Sequence, residues 1–112
     1  MDEDRVRARL HAERAEVQRL LRDAEEAGAQ DRAAGSETGD VGDRAQPLTA
    51  EGMDDAIAAS LRDRLAALDR AEQRLNDGTY GLSVRSGRPI PDARLEADPA
   101  AELTVEEAGS RR

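Results

Sequence analysis

The sequence predicts an all-α fold: a long antiparallel coiled-coil helical hairpin followed by a small C-terminal piece with short helices. Three observations predict it. Tyr80 is the one aromatic residue among 112, with no Phe or Trp, so the side chains that bring most area into a core are nearly absent. Charged residues make up 38% of the chain, and the Ala/Leu/Glu/Arg mixture suits long paired helices better than a globule. Two long stretches place apolar residues at helical spacing, with one glycine-rich break between them.

The first stretch predicts a helix over residues 3–34. Val6, Leu10, Val17, Leu21 and Ala24 recur at steps of three, four or seven, the period of one helix face. Glu16 stands three residues before Arg19, a distance at which opposite charges meet on a helix. Gly28 weakens the run by about 1 kcal/mol relative to Ala.

Residues 35–48 contain three glycines and Pro47 and read as a loop. Thr49 suits an N-cap and Glu51 a first turn. The second helix is predicted over 50–77, with Ile57, Leu61, Arg64, Leu68, Ala71 and Leu75 in a heptad seam that has one polar member. Gly78 suits the left-handed position that ends a helix. Each helix is roughly 40 Å long at about 1.5 Å per residue. Two such helices bury their narrow stripes on each other, which puts the loop at the far end of the pair.

The formal net charge is −8, and it is concentrated. Nine acids and seven Arg in residues 1–34 give −2; six acids and one Arg in 35–56 give −5; ten acids and nine Arg in 57–112 give −1. The hairpin tip is therefore the acidic part. A duplex phosphate backbone repels such a chain, so direct sequence-specific DNA binding is not expected.

The organisation expected is a hairpin over 1–78 and a small C-terminal region over 79–112. In the latter, short helices are expected at 91–97 and 105–108. Tyr80, Leu82, Val84, Ile90, Leu95, Leu103 and Val105 are expected to form a small apolar cluster, with Glu107 near Arg85 or Arg88. There is no cysteine, so no disulfide forms. The opening Met1-Asp2-Glu3-Asp4-Arg5 has neither the apolar run of a signal peptide nor that of a membrane span; the cytoplasm is the expected location. His11 is the sole histidine, and zinc needs about four ligands. No nucleophile triad and no phosphate-cradling glycine motif is present. An enzyme is not expected, nor a cofactor or metal.

Two segments stand out. One is Asp40-Val41-Gly42-Asp43-Arg44-Ala45 in the loop. The other runs Gly78-Thr79-Tyr80-Gly81, Gly87, Ile90, Arg94-Leu95-Glu96-Ala97, Pro99 and Ala101. On these residues the chain resembles the DksA/TraR family of bacterial transcription regulators. That family's pattern is GTYG-x-C-x-x-CG-x-x-I, then RLEA-x-P-x-A, then C-x-x-C, with D-x-x-D-x-A at the hairpin tip of its longer members. The resemblance implies a protein that binds RNA polymerase and inserts the coiled-coil tip into the secondary channel. Asp40, Asp43 and Ala45 would then act near the polymerase active centre and shift an equilibrium of promoter complexes. A monomer with no membrane partner is expected.

The departures are as informative. The family's four zinc-ligand positions fall on Ser83, Ser86, Thr104 and Glu107, giving a degenerate zinc-finger-like subdomain. Three hydroxyls and one carboxylate are poor zinc ligands, so a contribution on the order of 10 kcal/mol from a structural zinc has to be replaced. Basic positions by which the family binds the alarmone ppGpp fall on Ser60, Ala67 and Ala108, so little ppGpp response is expected. Two other readings stand beside this one: a coiled-coil adaptor that has lost polymerase activity, and an anti-pausing or cleavage-modulating role at the same channel.

Overall fold

The structure is a computed structural model, and its description covers residues 2–38 and 50–109. It contains four helices there: α1 Glu3–Thr38, α2 Ala50–Asp77, α3 Asp92–Ala97 and α4 Val105–Gly109. Among the described residues there is no strand, and an isolated antiparallel bridge pairs Leu82 with Pro89. The fold class is the one the apolar spacing predicts.

The helix ends follow from local chemistry. Asp2 caps α1, accepting the Asp4 amide on its carboxylate at 3.0 Å, and Glu3 and Asp4 occupy the first turn. Both features favour the positive end of a helix. At its other end α1 runs four residues past the predicted boundary. Gly35 alone costs only about 1 kcal/mol in a helix interior, and no proline stands before Pro47. α2 ends on Gly78, whose φ is +78°. The Thr79 amide donates to the Arg74 carbonyl at 2.9 Å and the Gly78 amide to the Leu75 carbonyl at 3.3 Å. These paired bonds are the left-handed glycine stop known as the Schellman motif.

The chain forms two compact units, Met1–Arg14 with Ala66–Arg112, and Ala15–Leu65. In the first, the start of α1 runs antiparallel to the end of α2. Arg7 bonds Asn76 at 3.0 Å, His11 lies 2.6 Å from Glu72, and Arg14 pairs with Asp69 at 2.8 Å. Between these rungs Val6, Leu10, Leu68, Ala71 and Leu75 are buried, Leu10 and Leu68 fully. A second cluster in the same unit joins Ile90, Leu95 and Ala101, with Tyr80 packed on it. In the second unit Arg62 of α2 pairs with Glu25 of α1 at 2.7 Å. Val17 and Ala58 are buried there.

Two sequence expectations are corrected. Ile57 is 48% exposed and Ala58, one residue on, is buried. Helical drift against a strict heptad, about 20° per repeat, is too small to account for this, because adjacent helix positions stand about 100° apart; the buried position here is set by the local packing of the two helices. In the C-terminal region Leu82, Val84 and Val105 are also exposed. The residue turned inward between the first two is Ser83, 4% exposed, and the small side chains Ala100 and Ala101 fill the interior beside Leu103.

No helix among the described residues is long and apolar enough to cross a membrane.

Leu68→Ala is expected to lower unfolding stability by about 2–5 kcal/mol, as a cavity in a filled seam does. Ile57→Ala is expected to stay within about 0.5 kcal/mol, as surface changes do. Urea titrations followed by circular dichroism at the helix band separate the two.

Candidate functional site

Asp40, Asp43 and Ala45 lie outside the described residues. Of the positions tied to ppGpp, Ser60 and Ala108 are exposed and Ala67 is half-buried. The part of the candidate site that the structure describes in atomic detail is the C-terminal segment of the first unit.

Here the recurring motif residues have physical tasks. Gly81, with φ +87°, lies under Leu95: a Cβ at Gly81 would stand 3.7 Å from Leu95 Cδ1. The Gly81 carbonyl accepts the Ile90 amide at 2.7 Å. The Tyr80 hydroxyl donates to the Pro99 carbonyl at 2.7 Å, and partial burial raises its pKa. Arg94 donates through Nε to the Leu103 carbonyl at 2.7 Å. Leu95 is buried, and the Glu96 carbonyl accepts Arg9 of α1 at 2.9 Å. Each residue of Arg94-Leu95-Glu96 thus touches a different neighbour.

Arg70, Arg74 and Glu102 form a second anchor, one that sequence reasoning missed. Glu102 Oε2 takes Arg70 Nε at 2.8 Å and Arg74 Nη1 at 3.1 Å. The hydrogen bond from Arg70, followed by the charges of both guanidiniums, holds the Glu102 carboxyl below its ordinary pKa. Arg74 also reaches the Ala101 carbonyl at 3.4 Å. The available signal was the spacing of Arg70 and Arg74, one turn apart on α2 and flanking buried Ala71.

Ser83, Ser86, Thr104 and Glu107 come together. Thr104 and Glu107 make a reciprocal capping box at the start of α4. The Thr104 amide donates to Glu107 Oε1 at 2.9 Å, and the Glu107 amide donates to Thr104 Oγ1 at 3.2 Å. The hydroxyls of Ser83 and Ser86 also hydrogen-bond to the Glu107 carboxylate. Ser83 Oγ meanwhile accepts the amides of Arg85 at 3.1 Å and Ser86 at 3.2 Å. Ser86 Oγ accepts the Arg88 amide at 3.2 Å. Glu107 therefore sits on hydroxyls and on the Thr104 amide. Neutral donors converge on its carboxylate. The Thr104-x-x-Glu107 spacing was the legible signal for half of this arrangement.

These residues do not fit zinc. Two of the four positions are serine hydroxyls that donate to a carboxylate, and zinc prefers thiolate or imidazole. Among the described residues no three His, Cys, Asp or Glu side chains come within reach of one ion.

The donors pull the Glu107 pKa from its ordinary 4.5 to about 2, with the Ser83 bond the largest cause and the Ser86 bond next. A carboxyl depressed on folding stabilises the fold fully above its unfolded value, and loses that contribution as pH falls through the folded value. Glu107→Gln is accordingly expected to melt below the unsubstituted chain at pH 7. Thermal melts at successive pH values should show the gap closing between about pH 5 and pH 2.

Comparison with known proteins adds the following. No family model matches the chain. Over 71 residues it is 41% identical to "RNA polymerase-binding transcription factor DksA" of Caulobacter vibrioides, a match covering 60% of this chain and 47% of that protein. Over 66 residues it is 38% identical to "General stress protein 16O" of Bacillus subtilis, covering 59% of this chain and 40% of that protein. The chain thus spans about half, or less, of the length of the curated relatives it matches. The solved structure of transcription factor DksA2 from Pseudomonas aeruginosa superposes with a TM-score of 0.73 at 23% identity, over 96% of this chain and 80% of that one. With its C-terminal motif residues folded into one connected segment, the chain is similar in sequence to DksA over 60% of its length, lacks cysteine, and shares the fold of DksA2.

Proposed function

We propose that this protein is a DksA-like transcription regulator that binds RNA polymerase, inserts its acidic tip into the secondary channel and modulates initiation without zinc. The observation that carries the reading is the 41% identity to a protein named as an RNA polymerase-binding transcription factor. It is supported by the bonds made by the Gly78–Gly81 and Arg94–Ala97 segments. Asp40 and Asp43 are the charges that would act in the channel, and Ala45 the small residue beside them. Carboxylates there would make charge-assisted bonds with basic or metal-associated groups of the polymerase. The role is one of shifting an equilibrium and involves no catalysis by this chain. With Ser60, Ala67 and Ala108 uncharged, ppGpp would add little, because a polyphosphate needs cationic partners.

The test pairs binding with effect. The chain is expected to co-purify with RNA polymerase and to crosslink near the active centre from a photoreactive group at position 43. Asp40→Asn with Asp43→Asn is expected to keep polymerase binding and helicity while removing the effect on transcription in vitro. Adding ppGpp to the unsubstituted chain should change that effect less than about twofold, as a lost charged contact predicts. An intact transcriptional effect in the double variant would overturn the tip's role, and failure to co-purify would overturn the polymerase reading.

A further inference from the structure

The residues that stand at the family's zinc-ligand positions are not an eroded, empty site. Ser83 and Thr104 are 4% and 7% exposed, the two buried polar residues among those described. Buried hydroxyls require partners, and these have them. The Ser83 hydroxyl accepts two amides of its own turn and bonds Glu107. Thr104 exchanges two bonds with Glu107. Ser86 does for the Arg88 amide what Ser83 does for its own turn, and it too bonds Glu107. The turn is closed by the Ser83 amide on the Arg88 carbonyl at 2.8 Å and the Gly87 amide on the Ser83 carbonyl at 2.9 Å. Gly87, with φ +76°, supplies the left-handed residue this closure needs.

We propose that Glu107 has taken over the structural part of a metal ion. Its carboxylate is the common acceptor that binds the Ser83–Arg88 turn to the Thr104 end of α4, so the C-terminal segment closes without metal. A capping box on its own involves two residues three apart. What exceeds it here is the pair of hydroxyls 21 and 24 positions earlier in the chain, which converge on the same carboxylate. A carboxylate offers about four lone-pair sites, enough for Ser83, Ser86 and the Thr104 amide together. Serine and threonine at the other three positions supply donors, where a metal site would supply acceptors. Donors and acceptor are interchanged, and the closure between the two segments is kept. The inference is independent of polymerase binding.

Thermal melting of the full chain, with and without excess chelator and with added zinc, is expected to give one and the same Tm. A chelator-sensitive Tm would overturn the proposal. A double-mutant cycle with Ser83→Ala and Glu107→Ala separates the cross-link from a mere helix cap. Each single change is expected to lower Tm, and the second to add little in the background of the first. Additive losses would show that the carboxylate only caps α4, and would sink the idea. Should Glu107→Ala not fold, Glu107→Gln serves: its single carbonyl oxygen keeps the cap but cannot also hold both hydroxyls. Amide exchange at Arg85, Ser86 and Arg88 in that variant is expected to quicken roughly fivefold, the size of one hydrogen bond. Unchanged exchange would overturn the proposal.

Discussion

Glu102 is bonded at both of its ends, and much of the first unit hangs on it. Its carboxylate is held by Arg70 and Arg74 of α2, while its main-chain carbonyl accepts the Val84 amide at 2.9 Å. One residue therefore joins the second long helix to the turn that begins at Ser83. From there the bonds continue through Ser83 and Ser86 to Glu107, and so to α4. The constraint behind this arrangement is compositional. A segment whose sole aromatic is Tyr80 has little apolar area with which to hold itself, so charge-assisted and hydroxyl bonds take a larger share. Arg74 shows a cost of that solution: its Nε is buried with no partner, although its two terminal nitrogens are bonded.

The helices were legible because their signals are local and repeated. Val6, Leu10, Val17 and Leu68, Ala71, Leu75 share one period, and all six are buried. Gly78 was legible as a stop because few residues take positive φ without strain. The seam was misread at Ile57, where hydrophobicity and geometry disagree. An isoleucine in line with the seam looks like a core residue, yet Ile57 is exposed and the adjacent alanine is buried.

The C-terminal segment was harder to read, for a different reason. Its cluster was expected from apolar residues alone, and Leu82, Val84 and Val105 met that description while lying exposed. Nothing local distinguishes a serine that is buried from one that is solvated. Ser83 is buried and bonds Glu107, far along the chain, a contact visible only when the fold brings them together. Arg70 and Arg74 were hidden in the same way, since arginine on a helix is ordinarily a surface residue. The tip aspartates are the opposite case. Their pattern is explicit in the sequence, and the proposed role rests on that pattern and on the likeness to DksA.

The hydroxyl–carboxylate arrangement around Glu107 also has a consequence for mass action. A fold completed by a bound ion is stabilised in proportion to the logarithm of that ion's free concentration over its dissociation constant. Bonds supplied by Ser83, Ser86, Thr104 and Glu107 are carried on the same chain, at an effective concentration fixed by connectivity. Their contribution involves no diffusible component, so the folded fraction that depends on them is the same in a depleted medium as in a replete one. The variable that does address it is proton activity, acting on a single carboxyl group.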